Sequence, residues 1–395
     1  MQSRLVYMDH GATTPVRKEV FDYMAPYFQE HFGNPSSLHT LGRKVRQTVE
    51  DAREKTALAI GANAEEVYFT AGGTESNNLA LRGVAKKRGK PGHIITSSIE
   101  HHAVLDVCRD LEKEGHRVTY LPVDQYGRVV PGSVRDAVEK DTFIISIMAA
   151  NNEIGTLQPI REIGAMAREK GVLFHTDAVQ VVGQLPVDVD ELNVDFLSLS
   201  AHKFNGPKGI GALYMKKGVK IDPLYRGGSQ ERKLRPGTEN VPGIIGLGRA
   251  IELAASEIPG KKKKLEHLRD RLVAGLLDIG DVLLNGHPEE RLPGNVNVSF
   301  KYIEGESVLL SLDMEGIAAS SGSACSSGSL EPSHVLSAVG LDHSTAHGSI
   351  RFSLGLGNTE ADVDYVLQKA PPIVERLRSM SPTYHSPEGS EERSN

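Results

Sequence analysis

The sequence lacks the features that mark several large classes of protein. It has only 2 cysteines in 395 residues, too few for a disulfide framework or a cysteine-rich metal site. It contains no apolar run of about 18 residues and no signal-like amino-terminal segment, so we expect neither a membrane span nor secretion. The formal net charge is -6 and the charges are interspersed, which argues against direct nucleic-acid binding. These absences predict a cytoplasmic protein in reducing surroundings.

From residue 66 onward, short β-rich runs alternate with helical patterns. Such alternation predicts an α/β fold with a mainly parallel sheet covered by helices on both faces. Ligands of these sheets bind at the carboxyl ends of the strands. The predicted strands are 67–70, 94–97, 118–121, 143–147, 172–175 and 196–200. The polar residues expected at their carboxyl ends are Thr70 to Thr74, His101, Asn152, Asp177 and Lys203.

The carboxyl-terminal part follows a different pattern, and the chain is longer than a usual single core. A charged amphipathic helix is predicted from about 261 to 278, followed by short strands, a Ser/Gly-rich loop and a last helix ending near 379. This pattern indicates a smaller α+β domain. We expect residues 1–14 to join the small domain, 15–255 to form the large domain and 256–380 the small one. Residues 381–395 are rich in Pro, Ser and charge and are expected to be disordered.

Lys203 lies where an alternating apolar run ends in a Ser/His/Lys cluster, before a Gly/Pro turn and a second strand-like run. A desolvated lysine amine is nucleophilic and can form a Schiff base with a carbonyl cofactor. A surface lysine at a hairpin turn explains this stretch alone equally well.

Other polar residues at the predicted strand ends each allow two interpretations. Residues 71–78 suit a phosphate seat at a helix start, with a hydroxyl from Thr74, or an ordinary capped turn. Asp177 could hold a heterocyclic nitrogen protonated, although a helix cap is more frequent. His101 could lie against a flat cofactor, act as an acid–base group or face water. Asn152 could bind a ligand or simply belong to a loop.

The two cysteines differ in their surroundings. Cys108 lies at helical spacing among apolar residues, so we expect it to be buried. Cys325 lies in a loop of small residues, 320–329, which would leave the thiol uncovered and able to travel. A flexible linker with an incidental cysteine is the weaker alternative, because exposed thiols oxidise.

Two further residues are candidates for ligand binding. Arg351 lies inside a β-rich run, where its planar guanidinium suits a substrate carboxylate, unless the strand is an edge and the side chain faces water. Thr238, in the polar turn 235–240, could donate to a phosphate, but composition does not decide this.

Together these segments resemble the cysteine desulfurases of the NifS/IscS type, which are pyridoxal-phosphate enzymes of fold type I in the class V aminotransferase family. The resemblance covers nearly the whole chain. Each motif is moderately specific, whereas their order and spacing together are very specific. The segments that carry it are 8–15, 32–37, 73–78, 100–101, 151–155, 176–180, 200–203 and 321–325.

The resemblance implies how the cofactor would be held. Lys203 would bind pyridoxal 5'-phosphate covalently and move protons at the substrate Cα. Asp177 would pair with the pyridine nitrogen, Gln180 would reach the ring oxygen and His101 would stack on the ring. The residues implied at the phosphate are Gly73, Thr74, Ser200 and His202, with Thr238 from the second subunit of a homodimer.

The resemblance also implies the reaction. Asn152 and Arg351 would hold the carboxylate of L-cysteine, and Asn152 would also contact the cofactor. The Cys325 nucleophile would take the substrate sulfur as a persulfide and leave L-alanine. The persulfide would pass to an iron–sulfur scaffold or sulfur-relay protein, for iron–sulfur cluster assembly and for tRNA thiolation. The loop around Cys325 has the long form of the branch that feeds these pathways. The tail after Pro382 does not look like the housekeeping form, and residues 235–241 look closer to NifS-like members, so the acceptor stays open.

Four alternatives remain beside this interpretation. A selenocysteine lyase or an aminotransferase would share the fold, although a mobile thiol at Cys325 argues against an aminotransferase. A cofactor-free hydrolase could use Cys325, a histidine and Asp177. A non-catalytic sulfur-relay platform would need only the thiol. Absorbance of a cofactor bound through lysine would separate the first two from the others.

Overall fold

The computed structural model describes residues 4–321, 332–382 and 384. Strands β1 to β13 are Val6–Tyr7, Val67–Thr70, His93–Ser97, Arg117–Leu121, Thr142–Ser146, Leu173–Asp177, Phe196–Ser200, Gly211–Met215, Val282–Leu284, Asn295–Phe300, Ile317–Ala318, Ser320–Ser321 and Ser349–Ser353. Helices α1 to α13 are Lys18–Met24, Pro26–Gln29, Thr40–Leu58, Gly73–Arg88, His102–Lys113, Pro131–Ala137, Ile160–Lys170, Val189–Leu192, Val241–Leu277, Gly305–Met314, His334–Ala338, His343–His347 and Glu360–Ser379.

A seven-stranded sheet forms the centre of the larger part of the molecule. Its strand order is β2-β8-β7-β6-β5-β3-β4. Strands β7, β6, β5, β3 and β4 pair in parallel, whereas β8 runs antiparallel to both of its neighbours. The predicted mainly parallel sheet is therefore confirmed. The carboxyl ends of β2, β6 and β7 consequently meet at one edge.

Alternate residues of these strands are buried on opposite faces of the sheet. Tyr68 and Ile94 pack beneath α4 and α5, whereas the adjoining Phe69 and Ile95 belong to the core under α3, α7 and α9. Successive side chains of a strand point to opposite faces, so nearly continuous apolar strands need helices on both sides. Because helices cover both faces of the sheet, its strands are nearly continuous apolar runs in the sequence.

A second, antiparallel sheet lies in the carboxyl-terminal part, with strand order β12-β13-β10-β9. Its core includes residues of α9 and α13. Strand β1 pairs in parallel with β11, matching Val6 with Ile317, so the amino-terminal segment contacts this part. The expected smaller α+β region is present, while the boundaries at 14/15 and 380/381 stay predictions.

Helix α9 corrects one prediction. A helix was expected to start near 261, but α9 runs continuously from Val241 to Leu277 with Pro259 inside it. An interior proline removes a backbone donor and usually ends or kinks a helix, which is why the pattern indicates a boundary there. Ala254 is buried in the core of the large sheet and Leu265 in that of the small sheet, so packing on both sides holds the helix together. The expected domain boundary at 255/256 falls within this helix.

Within the described residues, no helix is long and apolar enough to cross a membrane. The same residues contain no group of three His, Cys, Asp or Glu side chains that could hold a metal ion.

Candidate active site

A cavity of about 310 Å³ opens at the edge where the carboxyl ends of β6 and β7 meet the start of α4. Arg351 of β13 also lines this cavity, so both sheets contribute to its wall. A concave site that gathers polar side chains from distant segments is the usual form of a small-molecule site. The lining residues are Gly11, Ala12, Gly73, Thr74, Asn77, His101, Met148, Ala150, Asn152, Asp177, Val179, Gln180, Ser200, His202, Lys203 and Arg351.

Lys203 ends the short 3₁₀ turn Ala201–Lys203 that directly follows β7. Its Nζ donates hydrogen bonds to the carbonyl oxygens of Gly11 at 2.6 Å and Ala12 at 2.8 Å. Gln180 Nε2 donates to the same Gly11 oxygen at 3.1 Å. The amino-terminal segment thus holds the amine at the cavity wall, where it can reach a carbonyl carbon in the cavity.

Asp177 is the last residue of β6 and is buried. Its Oδ2 accepts a hydrogen bond from Asn77 Nδ2 at 2.6 Å, and its Oδ1 accepts one from the Val179 backbone N–H at 3.0 Å. The two donors fix the carboxylate in one orientation. An oriented carboxylate in a cavity suits a ligand N–H, since charge-assisted hydrogen bonds are the strong ones.

The start of α4 forms an anion seat. Its N-cap is Gly72, with φ 155°, and no side chain of the described residues caps the helix. The first amides of α4 are therefore left for a ligand, and the helix dipole favours an anion there. Thr74 and Ser200 add hydroxyl groups to the same wall.

His202 lies beside this seat, with Nδ1 3.1 Å from Thr13 Oγ1. Burial, together with the charges of Lys203 and Lys208, lowers its pKa to about 4. The ring is therefore neutral at pH 7 and serves as a hydrogen-bonding group rather than as a cation.

His101 caps the start of α5, where its Nδ1 accepts from the Ala103 N–H at 3.0 Å. Burial lowers the pKa of the ring; the Lys203 charge lowers it further, while Asp177 opposes both effects. A neutral ring whose Nδ1 accepts carries its proton on Nε2. The ring lines the cavity, where it can stack against a flat ligand.

Arg351 is almost completely buried and bridges two segments. Its guanidinium donates to the Asn152 carbonyl oxygen and to Asp9 Oδ1, each at 2.9 Å. Its buried Nε has no hydrogen-bond partner among the described residues. An unpaired buried donor is costly, so this atom suits a bound carboxylate.

The structure brings together all the predicted site residues that it describes, except Thr238. Gly73, Thr74, His101, Asn152, Asp177, Gln180, Ser200, His202, Lys203 and Arg351 line the one cavity. Thr238 is exposed and lies outside that lining. Cys325 lies outside the described residues.

Sequence reasoning assigned no role to several residues that shape the site. Asn77, which donates to Asp177, stands three positions after Thr74 on α4, and this spacing places both on one helix face. That spacing could have identified Asn77. Gly11 and Ala12 act through backbone oxygens, which residue type does not reveal.

Glu100, which directly precedes His101, is a further residue to which sequence reasoning assigned no role. It is fully buried, and its Oε1 accepts from Ser97 Oγ at 2.6 Å and the Met148 N–H at 3.0 Å. Burial raises its pKa to about 8 against the two hydrogen bonds, and the charge of Asp177 adds to the rise. The carboxyl is therefore largely protonated at pH 7.

The cavity fits pyridoxal 5'-phosphate. An amine, an oriented carboxylate, a neutral aromatic ring and an uncapped helix start match the aldehyde, pyridine nitrogen, ring face and phosphate of that cofactor. Arg351 Nε, which has no partner among the described residues, is suited to bind a substrate carboxylate.

Comparison with known proteins agrees with this fit. The aminotransferase class-V family model matches residues 6–366. The chain is 60% identical over 382 residues to a cysteine desulfurase IscS of Methanosarcina thermophila, covering 96% of this chain and 95% of that protein.

Two solved structures are similar over most of the chain. A NifS-like protein superposes with a TM-score of 0.90 at 43% identity, covering 95% of this chain and 100% of that one. The protein SspA, solved in complex with cysteine, superposes with a TM-score of 0.80 at 40% identity, covering 88% and 98%.

Proposed function

This chain belongs to the aminotransferase class-V family and is a pyridoxal-phosphate-dependent cysteine desulfurase, and we propose how its residues carry out that reaction. The observation that carries the proposal is that Lys203, Asp177 and Arg351 meet at one cavity although they are far apart in sequence. An amine, a carboxylate and a guanidinium at one site can bind both the cofactor and an amino acid.

The cofactor would be held by residues on three sides of the cavity. Lys203 Nζ would attach it covalently, Asp177 would accept from its pyridine N–H, and Gln180 would reach the ring oxygen. His101 would stack on the ring. Its phosphate would bind at the start of α4, to Gly73, Thr74, Ser200 and His202.

When bound, the protonated pyridine ring supplies an electron sink that makes the substrate Cα proton removable. Arg351 Nε and the Asn152 side chain would hold the carboxylate of L-cysteine. The free amine of Lys203 would take the proton from the substrate Cα and later return a proton to the substrate carbon.

Sulfur transfer is assigned to Cys325. Its thiolate would bond to the substrate sulfur while the Cβ–S bond breaks and leaves its electron pair on Cβ. A proton then completes the methyl group of L-alanine, and Cys325 retains the sulfur as a persulfide. The persulfide sulfur would pass to an iron–sulfur scaffold or a sulfur-relay protein, and we place this transfer in the cytoplasm, where thiols stay reduced.

The active unit is proposed to be a homodimer. Large apolar side chains of α1, α2, the start of α3 and the segment between α2 and α3 are exposed, and exposed apolar surface of this kind marks interaction sites. Thr238 is exposed and lies outside the cavity of its own chain, which is consistent with a role at the phosphate site of the partner subunit. The apolar residues of this surface are Phe21, Phe28, Phe32, Leu38 and Leu41.

The test is to incubate the holoenzyme with L-cysteine, quantify alanine and search Cys325 for added sulfur by mass spectrometry. Cys325→Ser should keep the cofactor absorbance and lose alanine formation. Cys108→Ala is the matched control, because burial raises the pKa of the Cys108 thiol to about 12 and leaves it inert. Unchanged alanine formation by Cys325→Ser would refute the persulfide mechanism.

A further inference from the structure

The short helix α11 docks onto the wall of the active site. Its Val335 and Leu336 are buried in a cluster with Ile99, Met148 and Ile154. Ile99 precedes the segment that carries His101, and Ile154 follows the segment that carries Asn152. Helix α11 therefore packs behind both walls of the cavity.

Ser333 connects this helix to the Asn152 segment. Its hydroxyl donates to Glu153 Oε2 and accepts from the N–H groups of Val335 at 3.1 Å and Leu336 at 3.3 Å. Glu153 is buried, and this burial raises its pKa to about 7. The Ser333 hydroxyl is thus both the cap of α11 and the hydrogen-bond donor to a desolvated carboxyl group.

His334 makes the corresponding contact with the His101 segment. Its Nε2 is 3.0 Å from the Glu100 carbonyl oxygen, so Nε2 must donate. Burial lowers the pKa of His334, consistent with a neutral ring in this tautomer. Its edge meets the His102 ring, with centroids 5.1 Å apart.

Ser333 and His334 thus contact Glu153 and Glu100, which adjoin residues proposed to bind the substrate and the cofactor. Glu100 immediately precedes His101, and Glu153 immediately follows Asn152. We propose that Ser333 and His334 are positioning residues, His334 for the cofactor-stacking ring of His101 and Ser333 for the substrate-facing Asn152. This inference rests on the roles proposed above for those two residues.

The two residues should affect different measurements. His334→Ala removes the donor to Glu100, and we expect the Kd of pyridoxal 5'-phosphate for the apoprotein to rise about tenfold, with a smaller change in the KM for L-cysteine. His334→Gln keeps an N–H near the position of Nε2 and should restore the affinity. His343→Ala, at an exposed position on α12, is the matched control and should bind the cofactor like the wild type.

Ser333→Ala should show the opposite pattern. It leaves Glu153 without its donor, so the KM for L-cysteine should rise about tenfold while the Kd of the cofactor changes little. Ser333→Thr keeps the hydroxyl and should restore the KM. The exposed Ser344→Ala is the control on the neighbouring helix.

Thermal stability separates positioning from simple packing. If His334→Ala and Ser333→Ala lower only the Tm, and neither the Kd nor the KM moves by more than about twofold, the inference is wrong. Failure of His334→Gln to restore cofactor affinity would also contradict it. Cofactor titration of the apoprotein needs no turnover, so its result stands even if the wild type forms no alanine and the proposed function fails.

Discussion

At the scale of single residues, the molecule contains two lysines with unusual surroundings. Lys261 is buried, donates to the Gly183 carbonyl oxygen at 3.1 Å, and has its pKa lowered to about 8 by burial. Lys203 lines the cavity with Asp177. We therefore expect access to the cavity, rather than burial, to decide which of the two amines attaches the cofactor.

Replacing each of these two lysines separately tests that expectation. Lys203→Ala should abolish covalent attachment of pyridoxal 5'-phosphate and lower kcat by at least about 10³-fold, because the amine is also the proposed proton carrier. Lys261→Met should retain the attachment. Peptide mass spectrometry after borohydride reduction locates the cofactor, and a cofactor mass on Lys261 in the wild type would contradict the assignment.

Glu100 gives a prediction about pH. The ordinary pKa of a glutamate is 4.5 and that of folded Glu100 is about 8, so the unfolded chain releases this proton first as pH rises. The stability associated with the protonated carboxyl is present below pH 4.5 and is lost as pH rises through 8. Glu100→Gln cannot titrate, and its stability relative to wild type should increase from pH 5 to pH 8 by on the order of a few kcal/mol.

Urea unfolding of both proteins at the two pH values measures this difference. Glu306→Gln, at an exposed position on α10, is the matched control. A difference between wild type and Glu100→Gln that stays constant with pH would show that the folded protein ionises Glu100 normally.

Burial explains which site residues the sequence could predict. Asp177 and Lys203 follow recognisable strands, and a parallel sheet brings strand ends to one edge. Glu100 lies next to His101 in sequence, but a carboxylate is normally solvated, and only the tertiary structure shows that it is enclosed. The resemblance added Gln180, Ser200 and His202, which lie close to Asp177 and Lys203 in sequence but to which the residue pattern alone assigned no role of their own.

At the scale of elements, the antiparallel strand β8 supports the anion seat at the start of α4. Gly211 of β8 pairs with both Thr70 and Ser200. A Cβ at Gly211 would lie 2.5 Å from the Leu199 carbonyl oxygen and 2.7 Å from Gly72 Cα. The absence of a side chain at Gly211 therefore lets Gly72 lie close to the sheet.

Gly211→Ala should displace the turn at Gly72. We expect a loss of about 1–3 kcal/mol of stability and a rise of about tenfold or more in the Kd of the cofactor. Gly260→Ala is the matched control, because a Cβ there would meet no atom of the described residues within 4 Å, and the variant should gain up to about 1 kcal/mol of stability. Cofactor titration and thermal unfolding measure both effects, and an unaltered cofactor Kd in Gly211→Ala would refute the coupling.

Element boundaries were predicted less well than element types. The strands of the large sheet follow apolar runs and were found close to their expected positions. The predicted helix contains only the second part of α9, because Pro259 and Gly260 indicate a helix boundary. The packing of distant segments against both halves of α9 keeps the helix continuous. Local sequence does not record such long-range contacts.

At the scale of the whole molecule, the proposed dimer gives the exposed apolar surface around α1 to α3 a function. Leu38 belongs to this surface and Met314 to α10 of the smaller part, and both are 88% exposed. Both side chains face solvent in the single chain. Only burial of Leu38 in a dimer interface would therefore distinguish the two positions. Leu38→Asp should therefore dissociate the dimer, since an unpaired charge in an apolar interface costs several kcal/mol, whereas Met314→Asp should not.

Sedimentation of the holoenzyme measures this, with wild type and Met314→Asp expected at twice the mass of Leu38→Asp. Dissociation should also weaken cofactor binding, because Thr238 would no longer reach the phosphate of the partner subunit. A variant Thr238→Ala that stays dimeric but shows the same loss of cofactor affinity would link assembly to the site. If Leu38→Asp sediments like the wild type, this surface is not the interface.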